Sequence, residues 1–241
     1  MDAIEREGAW CEWAYALGSL LGSAVPILQA MEAVAGEAEF AEIAEATSRL
    51  VEGILARKTI AGPARELPEP LPGMGVAFLR VGEVAGILDE TLVVWADWLK
   101  RDLELRLRYE SCRRTDAADW DTDVRRALPD YDRRLAEVVF LRLLGMCLGS
   151  GVPYGLAVEA AGEAFVTDPE RAASLQAVLR GEKPQAMAPV FEALGLPSHA
   201  CLQARMGDQH GDLDRRLVRA AEVLDYQLSL KLLPVAYLLA R

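Results

Sequence analysis

The chain has 241 residues, room for one large core or two small ones, and a hydrophobic fraction of 52% supplies the apolar side chains. A formal charge of -11 argues against nucleic acid or an anionic lipid surface as the general partner. Ala, Leu, Glu and Arg are abundant and strand-favouring runs are rare, so composition alone predicts an all-α protein.

The first residues, Met1 to Glu7, are acidic and lack the pattern of an export signal. From Ala9 the apolar positions Trp10, Trp13, Ala14, Leu17, Leu20, Leu21 and Ala24 recur at three- and four-residue steps, the stripe of a half-buried helix. Pro26 restarts the chain as a second helix, and a third covers about Glu39 to Arg57. Lys58 to Gly75 is rich in Gly and Pro and admits one short helix near Ala61 to Leu67. A short apolar helix then spans Met74 to Val81, ending at Gly82, and a long one runs from about Leu88 to Cys112. Residues 116–130, with Asp116, Asp119, Asp121, Asp123 and Pro129, read as an acidic linker. Beyond it the order returns: Tyr131 to Gly149, Pro153 to Phe165, Pro169 to Arg180, Pro184 to Leu194, Ser198 to Met206, and Leu213 to about Leu233. Asp168 followed by Pro169 is a strong helix start, a capping carboxylate before a proline in the first turn. The apolar run Leu228 to Ala240 is too short to cross a bilayer, and reads as a packed helix end or the beginning of a longer membrane segment.

Two short signatures make the duplication explicit. Leu21-Gly22-Ser23-Ala24-Val25-Pro26 returns as Leu148-Gly149-Ser150-Gly151-Val152-Pro153, and Arg80-Val81-Gly82-Glu83-Val84-Ala85-Gly86-Ile87-Leu88-Asp89 as Arg205-Met206-Gly207-Asp208-Gln209-His210-Gly211-Asp212-Leu213-Asp214. Order and spacing are kept together, which chance matches of short motifs rarely do. Short turns between helices place neighbours side by side and antiparallel. The expected architecture is therefore two tandem six-helix antiparallel bundles, residues 9–115 and 131–241, joined by the acidic linker.

In the upstream signature Gly22 and Gly149 suit either a close helix approach or a left-handed helix end. In the downstream one, Gly82 and Gly86 are expected to flank a turn that brings Glu83 to the start of the long helix, where Asp89 lies in the first turn. Asp208, Asp212 and Asp214 repeat the pattern. Acids there satisfy free N–H groups and the helix dipole. The other readings are a contact with a basic partner residue and a calcium site using Glu83, Asp89, Asp208 and Asp214, for which the carboxylates supply only part of the six to eight oxygens required. Trp98, one turn from Trp95 on the long helix, is a candidate interface residue together with Arg106, Glu83 and Asp208. Cys11, Cys112, Cys147 and Cys201 show no metal-ligand spacing; Cys11 and Cys147 read as buried thiols of a reducing compartment. His199 and His210 near Cys201 form only a weak nucleophile and base pattern, and no phosphate-cradling loop is present. No cofactor and no catalytic residue are expected.

The two signatures, in their helical context, resemble the cytoplasmic domains of the inner-membrane platform protein shared by type II secretion systems and type IV pili. The second unit adds Gly181-Glu182 to the likeness, which spans about residues 10 to 235. The resemblance implies two six-helix cytoplasmic domains in a non-enzymatic hub, a homodimer joined through the long helices, and contact with the assembly ATPase and other apparatus components. It also implies a cytoplasmic position at the inner-membrane face. This chain departs from the pattern in carrying an acidic linker where the family places membrane helices, and Asp208 where it tends to have Glu. The function expected is a scaffold or adaptor working by protein–protein contact. The alternatives are a structural or regulatory helical module unrelated to secretion, and a binding protein responsive to a divalent cation.

Overall fold

The computed structural model describes residues 3–56, 59–68, 71–112, 119–181 and 186–236. Asp116 of the expected linker, Glu182 of the second unit's likeness, residues 237–240 of the terminal apolar run and the side chain of Cys112 lie outside them. Among the described residues every regular element is helical, and the chain divides into two compact units, Met1–Cys112 and Arg113–Arg241.

The first unit contains α1 (Ala3–Gly22), α2 (Ile27–Gly36), α3 (Ala41–Leu55), α4 (Ala61–Arg65), α5 (Gly75–Ala85) and α6 (Leu88–Cys112). Gly18 near the end of α1 lies against Asp89 and Val93 at the start of α6, while Gly8 faces Leu103. The two helices therefore run antiparallel. Their shared core is aromatic. The Trp10 and Trp13 rings meet edge to face with centroids 5.1 Å apart, Trp95 lies 6.2 and 6.3 Å from them, and Phe78 of α5 stacks on Trp95 at 6.4 Å. Buried indole N–H groups need acceptors. Trp13 donates to the Thr47 hydroxyl at 2.8 Å and Trp95 to the Pro72 carbonyl at 3.2 Å, tying α3 and the turn before α5 to the core.

The second unit contains α7 (Trp120–Ala127), α8 (Tyr131–Gly149), α9 (Tyr154–Ala161), α10 (Pro169–Arg180), α11 (Met187–Ala193), α12 (Ser198–His210) and α13 (Leu213–Pro234). Six of these, α8 to α13, form an antiparallel bundle like that of α1 to α6. Gly145 meets Asp214, and Arg142 approaches Asp225 at 3.9 Å, so α8 and α13 run antiparallel as well. Phe140, Phe165 and Phe191 build its core, with centroids 4.7 and 6.0 Å from Phe140. A buried charge joins them. Arg171, only 4% exposed, donates to Glu137 and to the Gly195 carbonyl, and its guanidinium lies 5.4 Å from the centre of the Phe165 ring.

Several local expectations change. Within the acidic stretch expected to link the units, Trp120–Ala127 is helical; the Asp119 carboxylate caps it by accepting from the Thr122 N–H at 3.0 Å. Asp168 does cap α10, accepting from the Arg171 N–H at 3.1 Å with Pro169 in the first turn. Pro26 and Pro153 stand just before α2 and α9. The left-handed residue after α1 is Ala24 (φ 60°), matched by Gly151 (φ 79°) after α8, so neither Gly22 nor Gly149 supplies that bend. The helix expected to reach Phe165 is α-helical only to Ala161 and tightens into a 3-10 turn over Gly162–Phe165.

Candidate functional site

The repeated element in each unit is the joint between the fifth helix and the long sixth. The expected turn between Gly82 and Gly86 is not there: α5 continues through Gly82 to Ala85, and α12 through Gly207 to His210. Each helix ends one residue later at a left-handed glycine, Gly86 (φ 71°) or Gly211 (φ 72°), whose N–H returns to the carbonyl of Gly82 or Gly207. A side chain disfavours that conformation, which is why glycine recurs at this place.

Gly82 and Gly207 have a different task. A Cβ on Gly82 would stand 2.8 Å from the Leu88 Cα, and one on Gly207 2.6 Å from the Leu213 Cα. The end of each short helix thus touches the first residue of the long one backbone to backbone. On its other side that first turn meets α1 or α8. A Cβ on Gly18 would lie 3.0 Å from the Asp89 carbonyl oxygen, and one on Gly145 2.8 Å from that of Asp214. One turn on, Gly22 and Gly149 each leave room for the carboxylate of that Asp, 3.6 Å from where a Cβ would be. Gly22 and Gly149 stand out in the sequence, whereas the role of Gly18 and Gly145 emerges only from the packing. Their signal was the same four-residue glycine spacing at the end of both helices.

The acids of the signature face away from the expected direction. Glu83 accepts hydrogen bonds from the backbone N–H groups of Ile60 and Ala61, the latter at 3.2 Å, at the start of α4. Asp208 does the same for α11, accepting from the Met187 and Ala188 N–H groups at 2.8 and 3.1 Å. Neither short helix has a side-chain cap from its own N-cap residue, so the orphan N–H groups take a carboxylate from another helix. Glu83 and Asp208 therefore tie the irregular middle of each unit to its joint. They do not serve the long helix, whose first turns hold Asp89 and Asp214. Sequence separation hides this, because the recipients lie 23 and 21 residues upstream in segments without periodic pattern.

Asp212 forms a local pair, accepting from Arg216 at 2.6 Å, and that bond holds its carboxyl below the usual range. Near Asp208, burial and then the charge of Asp208 push the Tyr154 phenol up. Among the described residues no three His, Cys, Asp or Glu side chains gather as a metal site would require. The carboxylates of Glu83 and Asp208, two of the four expected calcium ligands, are engaged by backbone N–H groups.

The other candidates lie elsewhere. Trp98 is half-buried on α6. Arg106 is held inside the first unit, donating to Asp102 at 2.7 Å and pairing with Glu7 at 3.1 Å; both carboxylates are nearly buried. His199 lies in the first turn of α12 and His210 closes it, both exposed. The Cys201 Sγ donates to the Leu196 carbonyl at 3.6 Å; burial and then Glu192 push its thiol up, the direction opposite to an activated nucleophile. Burial also pushes up Cys11, which is half-buried, and takes Cys147 to about 11. No helix among the described residues is long and apolar enough to cross a membrane.

No curated protein matches the chain. Residues 13–111, reaching from α1 to the end of α6, match the model of one family, and the first unit is on that evidence similar to the type II secretion system (T2SS), protein F.

Proposed function

We propose that this chain is a non-enzymatic scaffold or adaptor of the secretion and pilus platform kind, acting by protein–protein contact. One observation carries the reading most: the joint that resembles the platform signature is built twice with the same parts. Gly82 and Gly207 give the contact, Gly86 and Gly211 the bend, and Glu83 and Asp208 the cap. The family match to residues 13–111 supports the same reading for the first unit. Rigid helical units of this type present fixed helix faces to partners.

The partners in this reading are a second copy of the chain and the assembly ATPase or neighbouring components of a secretion or pilus apparatus, met at the cytoplasmic face of the inner membrane. Trp98 on the long helix is the interface residue with surface to offer. Arg106 acts indirectly by holding α6 to Glu7. Glu83 and Asp208 contribute by fixing the segments that lead into α4 and α11. Co-purification of the tagged chain with the ATPase encoded in the same cells tests the reading. Recovery that Trp98→Glu weakens supports it, and absence of any apparatus component from the purified complex rejects it.

A further inference from the structure

On the first unit, α1 and α3 flank two adjoining hollows that share Ile43. One, of about 260 Å³, has Trp13, Val34 and Phe40 among its apolar lining and the carboxylates of Glu12, Glu37 and Glu39 at its rim. The other, of about 180 Å³, is lined by Trp10, Leu67 and Pro68 together with Arg6, Arg49, Glu42 and Glu45, Arg49 pairing with Glu45 at 2.8 Å, so the acidic excess belongs to the larger hollow. Both are smaller than the ~300–1,000 Å³ of small-molecule pockets, which suits single apolar side chains. Trp10 and Trp13 stand three residues apart on α1, so the hollows follow one another by roughly a turn, the spacing of i and i+4 anchors on a docked helix.

Among the described residues no cation lines the larger hollow, while Glu12, Glu37 and Glu39 are all exposed at its rim. The second unit does not repeat this rim: 127 residues on, the shift that separates Leu21 from Leu148, stand Val139 and Ala164, both buried in its core, and the exposed Val166. We infer that this groove docks a basic amphipathic helix of a partner protein, two apolar side chains entering the hollows and flanking Lys or Arg residues meeting the three carboxylates. The charge complementarity selects a basic occupant and makes association dependent on salt. The inference deepens the adaptor reading and rests on it.

The test uses the full chain and two synthetic fluorescent helical peptides, one of Leu and Lys and one of Leu and Glu in the same order, followed by anisotropy. The Leu/Lys peptide is expected to bind, with affinity falling at least tenfold in the Glu12→Gln/Glu37→Gln/Glu39→Gln variant. The control Glu52→Gln/Glu104→Gln/Glu222→Gln, which removes equal charge at exposed sites that line neither hollow, is expected to change it less than threefold. Equal losses in both variants would mean attraction to net charge alone and would overturn the proposal, as would absence of binding or equal binding of the Leu/Glu peptide. A fall from dimer to monomer mass in the first variant, without peptide binding, would assign the groove to a second copy instead. Because the probe is a defined peptide, its failure leaves the co-purification result standing. Peptide binding without any apparatus component would sink the adaptor reading and leave the groove.

Discussion

Ala24 holds a left-handed backbone at φ 60°, and Gly151 makes the matching bend at φ 79°. For a residue with a Cβ this conformation costs about 1–2 kcal/mol, partly offset in glycine by greater unfolded-chain entropy. Ala24→Gly is therefore expected to stabilise the first unit by about 0.5–1 kcal/mol, read as a higher denaturant midpoint with unchanged slope. Removing the Glu83 carboxylate acts the other way. Glu83→Ala strands the Ile60 and Ala61 N–H groups, which at partly buried sites costs about 1–3 kcal/mol, whereas Glu83→Gln keeps one acceptor oxygen and costs less. The faster amide exchange should be confined to the start of α4; exchange spread over α6 would return Glu83 to the role first expected of it. Calcium titration is expected to give no heat, because both Glu83 oxygens and the Oδ2 of Asp208 already accept backbone hydrogen bonds and no third acidic, His or Cys side chain joins either among the described residues. Heat abolished by Glu83→Gln would restore the cation reading. Both acids were visible in the sequence as a repeated feature, but the groups they bind were not.

The joint between the fifth and sixth helices is where an element depends on its neighbour. A methyl group on Gly82 would come within 2.4 Å of the Thr91 hydroxyl and 2.8 Å of backbone, and backbone cannot yield as a flexible side chain does. Gly82→Ala and Gly207→Ala are each expected to cost about 1–3 kcal/mol by overpacking, whereas Gly36→Ala, where a Cβ meets nothing within 4 Å, should cost little. Thermal melts of the three variants check the order. The α7 helix adds a pH dependence. The Thr122 hydroxyl and N–H bonds hold the Asp119 carboxyl below its ordinary 3.8, so the cap is worth most above that value, and its contribution is lost as pH falls from there through the lowered one. Asp119→Ala should remove about 1 kcal/mol of stability at pH 7 and flatten this acid limb; an unchanged limb would show that other carboxylates dominate it. Helix existence was legible from three- and four-residue periodicity. Helix ends were less so, because glycine at a close contact and glycine at a left-handed end look alike in sequence: Gly82 is the first and Gly86 the second.

At the scale of the whole molecule, each unit has its own core, tryptophan-rich in one and phenylalanine-rich in the other. Breaking the buried Arg171 and Glu137 pair with Arg171→Leu leaves the Glu137 carboxylate in the second core with the half-exposed Arg133 3.7 Å away, a loss of about 3 kcal/mol. Calorimetry is expected to resolve two transitions, with this substitution lowering one and sparing the other. A single transition that moves as a whole would show that the units unfold together. The proposed homodimer through the long helices predicts a mass of twice 26.3 kDa by light scattering, reduced to one copy by Trp98→Glu.

Apolar periodicity, the two repeated signatures and the scarcity of strand-forming runs were enough to establish an all-helical chain of two similar units, because those features act between residues near in sequence. The repeated Gly82 to Asp89 and Gly207 to Asp214 segments also marked the joint correctly. Only the tertiary structure decided what the joint does. Glu83 and Asp208 find their donors more than twenty residues away, and Gly18 and Gly145 are small because another helix's carbonyl lies beside them. Such contacts depend on which helices the folded bundle brings together, a distance in space that local pattern does not encode.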